Sequence, residues 1–291
     1  MSAFQVLKSG WAYPQEPMQR PLRAIMIFVL LFAVFSLLQA VMAFVAYRFL
    51  LGGSLVDLGT AYQSAREGGG VLPADSPIMG NFLKAMVIGM TPAGLLSALF
   101  ARFMARYGLP QRLGHLPLGK PQINILQWIA ILVLFVIAMG VIFNLIFWIA
   151  GIDPNTYETS AKGLSDAQSK AGLVEKTLAD LAQDPKLFVL AIPGVVIGAP
   201  FAEEFIFRGG LFAGLKSSFV GAPGAIVITA ALWALAHGQA APWMFVGVLF
   251  VMGLVLGLLL LRFGSLWVTV ICHVLWNAIS SGMMFYTGTH S

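Results

Sequence analysis

The sequence predicts an all-α fold, a polytopic transmembrane helical bundle, and three observations carry that reading. The 291 residues are 59% hydrophobic and only 10% charged, where a soluble domain is near half apolar and about a quarter charged. The mean hydropathy is +0.87. The apolar residues also gather into runs that meet the roughly 20 residues a spanning helix needs. The formal net charge of +5 calls for no nucleic-acid partner, because cytoplasmic loops of membrane proteins concentrate Lys and Arg. A single cysteine, Cys272, excludes an intrachain disulfide and a multi-cysteine metal centre.

Taken in order, the candidate spans fall at about 22–50, 81–106, 122–150, 187–215, 221–240, 243–262 and 264–286. A polar segment, 1–21, precedes them and has no cleavable-signal pattern. No repeat divides the rest, so 22–286 is expected to form one bundle. Two longer connections remain, 51–80 and 151–186. Within the second, about 160–184 has helical propensity and a modest apolar stripe of Leu164, Leu173, Leu178 and Leu181, which predicts an amphipathic surface helix. Lys8, Arg20 and Arg23 precede the first span, Arg102, Arg106, Arg112 and Lys120 separate the second and third, and Lys216 and Arg262 follow the fourth and sixth. With seven spans all of these fall on one side, which puts the N-terminus in the cytoplasm. A bundle this brief, with short loops, is expected in a bacterial cytoplasmic membrane.

Ionisable residues inside spans are costly and mark function. Once loops and snorkelling Lys84 and Arg262 are set aside, few remain. The stretch PFAEEFIFRGG, 200–210, carries Glu203, Glu204 and Arg208 into the fourth span; His237 ends the fifth, and the seventh carries His273 and Asn277. Glu204 and Arg208 are four apart, on one helix face, and are expected to pair. Glu203 lies about 100° around the helix and is free for another task. Trp233 with His237, and His273 with Asn277, repeat the four-residue spacing. Pro200 is expected to kink or break the span, leaving Glu203 in the first turn of a fresh helix beside unpaired N–H groups. His237 lies near the end of its span and Glu203 near the middle of its own, so a tilt or a re-entrant path must bring them level.

These groups can together cleave a peptide bond. Glu203, aided by His237, would deprotonate a water, while His273 and Asn277 would donate to the developing oxyanion. A metal held by Glu203, His237 and His273 is the competing arrangement, since all three are acceptable zinc ligands; the metal-free, cofactor-free reading is preferred mainly for the family resemblance that the same motifs carry. No HExxH motif is present, all six aspartates fall in predicted loops, and Ser280 and Ser281 lack a nucleophile signature. A non-catalytic membrane scaffold or immunity-type protein, and a transporter using Glu203 as a proton relay, complete the alternatives.

Glu203 to Arg208 fits EExxxR, Trp233 to His237 fits aromatic-xxxH, and His273 to Asn277 fits HxxxN. Motifs of this kind, in this order on successive membrane helices, resemble those of the CPBP (CAAX protease and bacteriocin-processing) family, which includes the Rce1-type prenyl-protein endopeptidases. The resemblance covers about 190–280. It implies an intramembrane glutamate protease acting on a membrane-associated peptide or protein, with Glu203 as the base and His237 assisting the water. His273 and Asn277 would form the oxyanion hole, with Glu204 and Arg208 in support. The family often has Phe where this chain has Trp233, and its best-known members have eight spans.

Overall fold

The computed structural model describes residues 21–57, 59–60, 63, 77–105, 116–151, 177, 180–181, 183–238 and 243–290. Among them the chain is helical throughout its ordered elements and contains no strand. Seven helical passes follow one another: α1 (Pro21–Phe49), α2 (Pro77–Phe103), α3 (Ile125–Ile149), α4 (Pro185–Lys216), α5 (Gly221–Ala236), α6 (Trp243–Phe263) and α7 (Leu266–His290). Each coincides with an expected span. Six are long and apolar enough to cross a bilayer, and α5 is the short one, at 16 residues. The protein is an all-α integral membrane bundle. Most of the segment expected as a surface helix, about 160–184, lies outside the described residues, as does the N-terminal segment.

Local chemistry sets the helix ends. α1, α2 and α4 each begin on a proline, whose missing N–H would have no intrahelical partner at that position anyway. Asn124 and Gln127 exchange reciprocal side-chain to backbone bonds of 2.9 Å ahead of α3, a capping box. Asp184 accepts from the backbone N–H groups of Lys186 and Leu187 at the start of α4. α3 stops at Gly151, whose φ of +70° suits a residue without a Cβ.

The fourth helix is the axis of the bundle. From Glu204 to Leu215 every residue of α4 is buried, although most large side chains on α1 and α3 face outward, as lipid contact requires. α1, α2, α5 and α7 pack around it, and α6 lies behind α5. Small residues set these distances. Gly194 and Gly198 lie against the α2 carbonyls of Val87 and Met90, and Gly94 meets the carbonyl of Gly198. On the far side Gly253 and Gly257 face Ala230, Trp233 and Ile226 of α5, the small-xxx-small packing of membrane helices. α3 is held from outside by a cluster of Phe143, Phe147 and Phe245.

α4 corrects the expectation of a break at Pro200. The chain stays helical from Pro185 to Lys216, changing register instead: Gly194–Gly198 and Glu204–Phe212 are π-helical, and a five-residue α-helical turn, Ala199–Glu203, joins them. The wide turn sets the missing N–H of Pro200 opposite the Val195 carbonyl. Glu203 therefore closes that short segment within a continuous helix, instead of opening a fresh one.

Candidate active site

The carboxylate of Glu203 is where α4, α5 and α7 converge. Its Oε2 accepts a 2.6 Å bond from the indole Nε1–H of Trp233 on α5. Its Oε1 lies 3.7 Å from His237 Nε2, and its Oε2 lies 3.8 Å from His273 Nε2 on α7. Glu203 is thus flanked by two imidazoles across gaps slightly longer than a hydrogen bond. The side chains of Glu203 and His237 keep 18% and 34% of their surface exposed, so this edge of the site is open. The levelling expected of His237 comes from the brevity of α5. The helix ends at Ala236, and His237 caps it at the depth of Glu203.

The neighbouring carboxylate turns inward. Glu204 Oε1 lies 3.1 Å from Arg208 Nη1 and 3.0 Å from His273 Nδ1, with all three side chains buried. The expected i,i+4 pair is present, and it holds more than itself: Glu204 also fixes His273. A carboxylate paired with a guanidinium accepts, so His273 Nδ1 carries a hydrogen and Nε2 is the end presented to Glu203. His237 is set in the same way by a different acceptor. Its Nδ1 lies 2.8 Å from the backbone carbonyl of Trp233, so its Nε2 also faces Glu203.

Arg208 is not fully engaged by Glu204. Nε and Nη2 find no hydrogen-bond partner among the described residues, and neither does Glu204 Oε2. The guanidinium instead stacks over the Trp233 ring, 4.7 Å from its centroid, where the electron-rich face offsets part of its charge.

Asn277 occupies a different part of the arrangement. Its Nδ2 donates to the carbonyl of Val195 at 2.9 Å, in the first π segment. The register explains why that carbonyl needs a donor. Ala199 N–H bonds Gly194 O, five residues back, so the next donor in sequence would serve Val195 O. That next residue is Pro200, which has no N–H. Asn277 supplies the missing bond from α7, and its second amide hydrogen is not spent on Val195.

In the sequence Trp233 stands only as the aromatic position of a motif. The structure makes it a direct partner of Glu203. The one signal available beforehand was its identity, because tryptophan carries a donor on its ring and phenylalanine does not. Glu203, His237 and His273 are residue types that ligate metals, yet no group of three or more His, Cys, Asp or Glu among the described residues is arranged to hold an ion.

An all-helical membrane protein with a carboxylate–histidine centre in its interior is the class that this fold and site define. Within it, residues 185–279, about a third of the chain, match the family described as type II CAAX prenyl endopeptidase, Rce1-like. The match spans α4 to α7 and includes all three motifs. No curated protein and no solved structure matches the chain significantly. What residues 185–279 are similar to is therefore a family of CAAX-type prenyl endopeptidases.

Proposed function

We propose that the chain hydrolyses a peptide bond of a membrane-associated substrate with a water activated by Glu203. The observation that carries this reading is the placement of Glu203 between the Nε2 atoms of His237 and His273, at 3.7 and 3.8 Å. Two acceptors separated by that distance can be spanned by one water at ordinary hydrogen-bond lengths. Such a water gives one hydrogen to Glu203 Oε1 and the other to His237 Nε2, and its oxygen lone pair is left to attack a carbonyl. Glu203 takes the proton as the bond forms and passes it to the departing amine as the tetrahedral intermediate collapses.

Oxyanion stabilisation falls to His273 and Asn277. With Nδ1 bonded to Glu204, the doubly protonated ring of His273 is the form that donates through Nε2. Asn277 donates through the hydrogen that Val195 leaves unused. Both donors are held before substrate arrives, which is what makes such a hole effective. The basic residues flanking the spans support an orientation with the N-terminus in the cytoplasm, and the brevity of the bundle supports a bacterial membrane.

The test compares wild type with Glu203→Gln on a panel of quenched lipid-tethered and free peptides in nanodiscs, with and without chelator. Glu203→Gln should abolish cleavage while inserting and folding normally, and chelator should leave the wild type unaffected. Cleavage that survives Glu203→Gln would refute the assignment of the base. Loss of activity on chelation would transfer the chemistry to a metal.

A further inference from the structure

Outside the motif glutamates and histidines, one residue touches Glu203, His237, His273 and Arg208 together. Trp233 is fully buried, at 1% exposure. Its Nε1–H donates to Glu203 Oε2 at 2.6 Å, and its backbone carbonyl holds His237 Nδ1 at 2.8 Å. Its ring meets the rings of His237 and His273 edge-on, each with centroids 5.3 Å apart. Its face lies under the Arg208 guanidinium.

These contacts cooperate. An indole ring is wide and has no rotatable bond beyond χ2, so burying it fixes the direction of its N–H closely. A cation over the ring face draws electron density from the indole, which makes that N–H a stronger donor. The acceptor is a carboxylate, and hydrogen bonds to charged groups are about twice as strong as neutral ones. Oε2 is therefore tethered and Oε1 is left facing His237. A phenylalanine here would keep the ring contacts and lose only the tether.

We infer that Trp233 is the positioning residue of this centre: its indole N–H, polarised by Arg208, locks one oxygen of Glu203 so that the other faces the reacting water. This rests on the hydrolytic reading proposed above, and the experiment separates the two. The full chain, labelled with ¹⁵N-indole tryptophan in nanodiscs, should show one resonance for each of its seven tryptophans. Trp233→Phe deletes one of them and so assigns it. In Glu203→Ala that same indole proton should move upfield, as the acceptor is lost; an unmoved resonance overturns the inference. If Trp233→Phe does not fold, Glu203→Ala decides alone: an indole resonance shifted upfield supports the tether, and seven unmoved resonances overturn it.

Activity supplies the second readout. Trp233→Phe should lower kcat by about 10- to 100-fold, the scale of one hydrogen bond to a charged group, with KM unchanged. A raised KM at unchanged kcat would overturn the positioning role. Cleavage retained in Glu203→Gln would instead refute hydrolysis by Glu203, and the indole shift would still decide where Trp233 points.

Discussion

Removing the charge of Glu204 should destabilise the bundle, and removing Arg208 as well should restore part of the loss. In Glu204→Gln the side chain keeps its size and an acceptor for His273 Nδ1, but Arg208 is left without a counter-charge at 0% exposure. Breaking a buried ion pair from one side costs about 3–5 kcal/mol. The Trp233 face, at 4.7 Å, keeps compensating the guanidinium by about 1–2 kcal/mol. The expected net cost is then roughly 1–4 kcal/mol, towards the lower end because an unfolded chain in a membrane mimetic also finds polar partners. Adding Arg208→Met removes the stranded charge and fills much of its volume, so the double variant should be more stable than Glu204→Gln alone. Reversible unfolding in mixed micelles, followed by far-UV circular dichroism, measures all four corners of the cycle. A double variant no more stable than Glu204→Gln would refute the claim that an uncompensated cation is what the single change leaves behind.

The Val195 carbonyl offers a second rescue. Asn277→Leu should cost about 1–3 kcal/mol by stranding that acceptor, and Pro200→Ala in the same background should recover part of it by supplying the absent N–H; a thermal melt of both variants checks this. Gly198→Val should cost at least the ~1–3 kcal/mol of overpacking, because its Cβ would meet the Met90 carbonyl of α2. Gly247→Ala, which faces nothing within 4 Å, should leave the size-exclusion profile unchanged.

Much of the fold could be read in advance because the bilayer simplifies the problem. Apolar runs must become helices there, since no water is present to satisfy a backbone in any other form. All seven passes were found on that basis, and the pairing of Glu204 with Arg208 followed from spacing alone. The register of α4 was not accessible in the same way. A proline in an apolar run predicts a lost hydrogen bond, but not whether the chain breaks or widens its turns. That choice depends on α7 offering an amide to Val195 and on α2 presenting a glycine surface at Gly94. Both are tertiary facts. The depth of His237 was hidden for a related reason, because hydropathy extends the fifth run to about 240 whereas α5 ends at Ala236.

The adjacency of Glu203 and Glu204 now has a physical explanation. Neighbouring residues on a helix point in different directions, so two adjacent carboxylates do not normally serve one centre. His273 unites them, because the two nitrogens of an imidazole point in divergent directions and can face two different carboxylates. Nδ1 reaches the buried Glu204 at 3.0 Å, and Nε2 looks toward the part-exposed Glu203 at 3.8 Å. Glu204 gives its Oε1 to both Arg208 and His273 and keeps Oε2 buried, out of reach of solvent, whereas Glu203 turns Oε1 toward His237 at the open edge of the site. Exchanging their environments would remove that asymmetry. A guanidinium beside Glu203 would compete for the oxygen that faces His237, and an unpaired Glu204 would be a charge at 0% exposure. The order of the pair along the chain therefore matters as much as its presence. A Glu203→Gln variant with Glu204 intact should fold like the parent, whereas Glu204→Gln with Glu203 intact should not, and unfolding measurements on the two isosteric changes separate the working carboxylate from the structural one.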